Sequence, residues 1–167
     1  MFFIKCYHGA MNTDVTINRI TIEDLEKIID LGEMLQSEEQ LYETNLVFNR
    51  KASFEHYQTE LTNPDALIIA AKVEDGTIIG YQYSHTHTLE YLNSDNKECV
   101  FEALYVTRHF RGKGIGKALN NYAEHWAINV KQVNRISTHI YATNDASLKL
   151  HTSSGFKPYN IELVKNI

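Results

Sequence analysis

The stretch HFRGKGIGKAL, residues 109–119, sets glycines at 112, 114 and 116 between a strand-like run and a helix-like run. No other segment restricts the fold as much. Glycine adopts positive φ freely and lets the main chain pass close to a ligand. A strand that ends in such glycines and runs into a helix leaves the first helical N–H groups open, a seat for phosphate. Arg108, Arg111, Lys113 and Lys117 crowd this stretch of a chain whose formal net charge is −5. That local reversal of sign points to a bound polyanion. The alternative is a glycine turn with surface cations. Two phosphate motifs fail here. A GxxxxGK(S/T) loop would need Gly at 111 and Ser or Thr at 118, which are Arg and Ala. A GxGxxG fingerprint starting at Gly112 meets Lys117.

The 167 residues suit one domain with a real core. A hydrophobic share of 43% with 22% charged residues describes an ordinary globular chain. The acidic balance argues against a general nucleic-acid or anionic-membrane binder. Cys6 and Cys99 form neither a disulfide nor a zinc pattern, so a reducing cytoplasm is the expected location. No apolar run approaches the roughly 20 residues of a membrane span. MFFIKCYHGA is broken by Lys5 and His8 and lacks the basic start of a signal peptide. Met11 opens a more ordinary start. Residues 1–10 therefore read as an N-terminal extension with no assigned role, and 11–167 as a single domain.

VTINRIT (15–21) alternates like a strand, and Thr21 with Asp24 resembles a helix-start box before IEDLEKIIDLGEML. A second helix is expected at 53–61, ended by Asn63-Pro64. ALIIAAKV and IIGYQYSHTHTL flank Asp75-Gly76, a strong hairpin signal. ECVFEALYV (98–106) is a strand, 114–128 a helix, 135–142 a strand, 145–153 a short helix and 156–164 a final strand. The order β-α-α-β-β-β-α-β-α-β is a mixed α/β fold with a largely antiparallel first half.

The pattern Arg111-x-x-Gly114-x-Gly116 resembles the GNAT N-acetyltransferase superfamily, whose coenzyme A pyrophosphate loop reads (Arg/Gln)-x-x-Gly-x-(Gly/Ala). NDASLKLHTSSGF (144–156) is similar to that family's Asn-x-x-(Ala/Ser)-x-x-x-Tyr-x-x-x-Gly-Phe segment, with Asn144, Ser147, Gly155 and Phe156 at matching places. The element order agrees, so the resemblance spans about 15–165. There is some likeness to the diamine acetyltransferases.

The resemblance implies a central, largely antiparallel sheet whose fourth and fifth strands splay apart, with flanking helices. Acetyl-CoA would lie in the V as cosubstrate, with no metal. The main chain of Leu104, Tyr105 and Val106 would pair with the pantetheine like an added strand. Amides around Arg111, Gly112, Lys113, Gly114, Ile115, Gly116 and Lys117 would take the pyrophosphate. Asn144 and Ser147 match positions beside the cofactor arm. The implied reaction is direct attack of a primary amine on the thioester, with small-molecule acceptors favoured over protein. A homodimer is compatible with such a family, and neither nucleic acid nor membrane is an expected partner.

Glu102 is the first candidate base. It lies on the strand where diamine acetyltransferases carry one, and simple alternation puts it on a face with Leu104 and Val106. It faces either the cleft or solvent. His139, five residues before Asn144, is the second candidate, or a structural histidine. The family's acid is a Tyr seven residues after the Asn. This chain has His151, either a proton donor to the leaving sulfur or a helix residue against the cofactor arm. His85 and His87 share a strand face but lack a third ligand. QSEEQLYET (36–44) reads as a solvated acidic loop, although that region lines the family's acceptor site. Two readings of other classes stand beside the enzyme. One is a non-catalytic acyl-CoA-binding sensor, which would keep the glycine loop without a working base and acid. The other is a nucleotide-phosphate binder.

Overall fold

The computed structural model of the chain describes residues 2–6, 13–89 and 96–165. Its apolar alternating runs form one sheet in chain order: β1 (Phe2–Cys6), β2 (Thr13–Arg19), β3 (Ala66–Lys72), β4 (Ile78–Thr88), β5 (Lys97–Val106) and β6 (Arg135–Thr138). Neighbours are antiparallel except β5 and β6. A parallel pair needs a crossover, and α3 (Ile115–Asn129) supplies it. Helices α1 (Leu25–Glu39) and α2 (Arg50–Glu60) join β2 to β3, and α4 (Asp145–Ser153) follows β6. This is the mixed, mainly antiparallel α/β fold expected.

Local signals act as read. Thr21 N–H donates to Asp24 Oδ2 at 3.0 Å and starts the first helical segment. Asn49 Oδ1 accepts Ala52 N–H at 3.1 Å and caps α2. Gly76, at φ +85°, turns the β3–β4 connection while Asp75 Oδ1 accepts Thr77 N–H at 2.8 Å.

The sheet buries both faces. Against α3 lie Ile17, Leu67, Ile69, Cys99 and Phe101, packed on Leu119, Ala123 and Trp126. Against α1 and α2 lie Ile68, Ala70, Tyr81, Tyr83 and Tyr105, packed on Leu25, Ile28, Ile29 and Tyr57.

Phe2–Cys6, within the stretch read as an N-terminal extension, run antiparallel to β2 as an edge strand. Residues 1 and 7–12 lie outside the described residues, as do 90–95 and 166–167. Three expectations need correction. Helix α1 continues through Glu39, so residues 36–39 are its last turn rather than loop. β6 stops at Thr138 instead of 142, because its ladder with β5 ends at the Phe101–Thr138 pair. Residues 157–165 form no strand. They run exposed beyond α4, without a ladder partner to hold the alternating pattern.

Alternation also misplaces Glu102. Ser84 pairs with Phe101 and Tyr83 with Ala103, which leaves Glu102 as the extra residue of a β-bulge. The bulge flips the faces beyond it. Phe101 and Leu104 pack toward α3, whereas Ala103 and Tyr105 pack toward α1 and α2. The Glu102 charge is felt at Tyr57 and Tyr83, so its carboxylate sits on the α1–α2 face, opposite Leu104 and Val106.

Candidate active site

Bulge and ladder end coincide. Thr138 Oγ1 donates to the Phe101 carbonyl at 3.0 Å, the last contact before β6 leaves β5. From Ala103 to Val106, β5 stays paired with β4 on one side and opens a cleft on the other. The cleft holds about 410 Å³. Its walls are β5, the end of α1, the start of α3, the segment after β6, and α4.

One end of the cleft is the glycine loop. Gly112 and Gly114 sit at φ +74° and +83°, values that a side chain would strain. Gly114 is the N-cap of α3, and no side chain bonds the helix's first amides. The positive end of a 15-residue helix therefore faces the cleft with only main chain around it. Gly116 is tight for a different reason. A Cβ there would lie 3.4 Å from Leu150 Cδ2, so glycine lets α3 and α4 close together.

Arg111 is not free for an anion. Its Nη1 lies 2.9 Å from Glu38 Oε2, Nη2 donates to Glu38 Oε1 at 3.0 Å, and Nε donates to the Val106 carbonyl at 2.7 Å. Arg108 Nε donates to the same carboxylate at 3.1 Å, and Tyr105 O–H at 3.3 Å. Partial burial pushes the Glu38 carboxyl up, but the bonds from Arg111 and Arg108 outweigh it and hold it below the usual range. Two of the four cations read as anion ligands thus anchor the loop to α1. Lys117 lines the cleft, whereas Lys113 does not and lays its Nζ 5.0 Å from the centre of the Phe110 ring.

At α4, Asn144 Oδ1 accepts Ser147 N–H at 3.1 Å, so both residues build the helix start while lining the cleft. His151 is 4% exposed. Its Nδ1 lies 2.9 Å from the Ser147 carbonyl and its ring meets Phe156 edge-on at 5.2 Å. That carbonyl can only accept, which assigns the Nδ1–H tautomer and leaves a lone pair on Nε2. Burial lowers the His151 pKa, and the bond to Ser147 only partly offsets it.

The other end of the cleft holds acids and tyrosines. Glu102, His139, Tyr141 and Glu39 line it, and Tyr141 stacks on Tyr42 at 5.3 Å. The three expected catalytic side chains, Glu102, His139 and His151, therefore share one cleft with the main chain of Leu104, Tyr105 and Val106 and with Ile115. Glu38 and Glu39 were missed as site residues. The available signal was helical spacing: Ile28, Gly32, Leu35 and Glu39 continue one stripe, and an acid stands where an apolar residue belongs.

A parted β5 edge leading to an uncapped helix mouth with two left-handed glycines fits a long ligand ending in a diphosphate. Residues 31–156 match the acetyltransferase (GNAT) family. The chain belongs to that family. Among solved structures, the BH1408 protein of Bacillus halodurans, as a tetramutant, matches with a TM-score of 0.80 at 16% identity, covering 91% of this chain and 99% of that one. The aminoglycoside N-acetyltransferase AAC(6')-Iy, solved with CoA, matches with 0.76 at 17% identity, covering 96% and 99%. The aminoglycoside antibiotic 6'-N-acetyltransferase AAC(6')-Ih of Acinetobacter baumannii matches with 0.72 at 18% identity, covering 92% and 99%. At such identities these likenesses carry the fold. Family membership makes this chain an acetyltransferase by class. Among the described residues of this acetyltransferase, no helix is long and apolar enough to cross a membrane. No group of three or more His, Cys, Asp or Glu among them could hold a metal ion.

Proposed function

We propose that this acetyltransferase moves the acetyl group of acetyl-CoA to a primary amine of a small molecule by direct attack. The observation that carries the reading is the joining, in one cleft, of an open β5 edge, a glycine-lined helix mouth and the carboxylates of Glu39 and Glu102. The cosubstrate supplies an activated acetyl thioester. Leu104, Tyr105 and Val106 would bond its arm through the main chain, and the amides of residues 112–117 would hold its diphosphate. Lys117 adds charge at that end, while Arg111 fixes the loop through Glu38. Asn144 and Ser147 shape the α4 wall.

The acidic end suits a cationic acceptor. An alkyl ammonium has a pKa of about 10.4 and must lose a proton before it attacks. Glu102 and His139 line the same cleft, and the Glu102 carboxylate would attract the ammonium. A main-chain N–H of β5 would receive the carbonyl oxygen as charge develops on it. His151 carries no spare proton in its neutral tautomer, so donation to the departing sulfur belongs to its protonated form alone. The two aminoglycoside acetyltransferases of the same fold support a small polyamine-like acceptor. A reducing compartment suits the chain, whose buried Cys99 thiol is pushed up to about 12 by burial.

The test is thiol release from acetyl-CoA with a panel holding spermidine, kanamycin and an alanine-terminated peptide. Turnover on the polyamine or the aminoglycoside, with the peptide inert, is the expected result. Tight acetyl-CoA binding with no turnover on any amine would replace the enzyme with an acyl-CoA sensor.

A further inference from the structure

Glu39 is a half-buried acid of the cleft wall that no cation claims among the described residues, whereas its half-buried neighbour Glu38 is bound by Arg108 and Arg111. It stands four residues after Leu35 on the sheet-facing stripe of α1. That stripe reaches the sheet three residues before Leu35, where a Cβ on Gly32 would lie 3.4 Å from Tyr81 Oη. The Glu39 charge is felt at Tyr57 on α2, Tyr81 on β4 and Tyr141 beyond β6. From β5 comes Glu102, from the segment after β6 His139, and from beyond α1 Glu43, whose charge also reaches Tyr141. Glu38, one residue earlier, is turned away onto Arg108 and Arg111. Among the described residues no positive group therefore neutralises Glu39, which stands half-buried in the cleft wall.

We propose that Glu39 is the base of this acetyltransferase, taking the proton from the acceptor's ammonium in the cleft that it lines together with Tyr141. The inference rests on the acetyl-transfer reading above. An N–H bond of the ammonium breaks toward a Glu39 oxygen. The freed nitrogen lone pair attacks the thioester carbonyl carbon, and the C–S bond breaks with its electron pair going to sulfur. The nitrogen's second proton passes to that sulfur as the amide forms, and the proton on Glu39 returns to solvent. Burial suits the side chain to this task. It moves the Glu39 carboxyl upward, toward the range where a base both holds its charge and accepts a proton readily. Glu102 is exposed and His139 lies at the surface, so neither is held in such surroundings. The exposed Glu102 carboxylate suits attraction of the cation rather than removal of its proton.

The experiment measures kcat/KM against pH for the full chain, with acetyl-CoA and whichever of spermidine and kanamycin the wild type acetylates. Each is paired with a β-fluorinated analogue of lowered amine pKa, and the two are compared at a pH above that lowered value, where the analogue's amine is largely neutral and the parent's is still mostly charged. E39Q should lose about 10²–10⁴-fold in kcat/KM on the parent amine. On the fluorinated analogue it should lose less than tenfold, because a neutral amine needs no base. Acetyl-CoA affinity should stay unchanged, and E39D should recover part of the loss with the acidic limb of the profile restored. A role in packing alone would lower both amines equally. Equal loss on the two amines, or an E39Q profile matching wild type, overturns the inference and leaves acetyl transfer standing. The same holds if E102Q or H139Q shows the amine-selective loss instead. Failure of the wild type on every amine strikes the acetyl-transfer reading itself, and the base assignment falls with it.

Discussion

Glu38 and Glu39, adjacent at the end of α1, are held by opposite surroundings: Glu38 closes on Arg108 and Arg111, while Glu39 lines the cleft with no cation paired to it among the described residues. Their carboxyls accordingly shift in opposite directions, Glu38 below and Glu39 above the ordinary value. Two neighbouring acids set apart in this way serve two purposes. One fastens the glycine loop to the first helix, and the other waits in the cleft.

The Glu38 contact is the first point of test. Replacing it with Gln removes the charge that three arginine bonds and Tyr105 share. The pair is partly exposed, so a loss of about 1 kcal/mol is expected, or roughly 2–4 °C in Tm. A group with a lowered folded pKa gives stability that is present above its unfolded value and lost as pH falls through the folded one. The gap between wild type and E38Q should therefore narrow in acid. Loosening the loop should also raise KM for acetyl-CoA more than it lowers kcat. Thermal melts across pH and steady-state kinetics check both.

Glu39 gives the opposite sign. A raised folded pKa means stability that is present below the unfolded value and lost as pH rises through the folded one. At neutral pH the wild-type carboxylate therefore costs stability. E39Q should melt higher than wild type near pH 7, and the advantage should vanish at about pH 4, near the ordinary Glu value. A variant that is both more stable and far less active marks a functional acid in an apolar setting.

His151 is tested through stability rather than turnover. Burial depresses its pKa, so its contribution is full above the unfolded value of 6.5 and is lost as pH falls through it toward the folded one. H151Q keeps a donor for the Ser147 carbonyl but does not titrate. Its Tm should fall less than that of wild type between about pH 6.5 and 5. Activity at neutral pH should drop less than tenfold, since the buried ring holds no proton for the sulfur. A loss of 10²-fold or more would restore the donor role.

Much of this site was legible in the sequence. The glycine spacing and its cations located the helix mouth, and the Asn144–Phe156 block located α4. Glu102, His139 and His151 reached the same cleft because strand ends and the helix after them converge on it. What escaped depends on long-range partners. Alternation cannot show that Glu102 is an inserted residue, because a bulge is defined by the register of β4 opposite it. The basic run cannot show that Arg108 and Arg111 are claimed by a carboxylate 70 and 73 residues earlier. Residues 157–165 carry a strand pattern, yet a strand also needs a neighbour, and the described sheet ends at β6.

Gly114 is where ligand and fold meet most closely. A tryptophan there must adopt φ near +83° and would fill space in which a Cβ meets nothing within 4 Å. Calorimetric titration of acetyl-CoA into the full wild-type chain and into G114W measures what that space is for. Saturable uptake of one cosubstrate per wild-type chain, weakened at least 100-fold in a G114W chain that still melts cooperatively, is the expected result. No heat of binding with the folded wild type, or equal affinity in the two proteins, would contradict a cofactor seat at the mouth of α3.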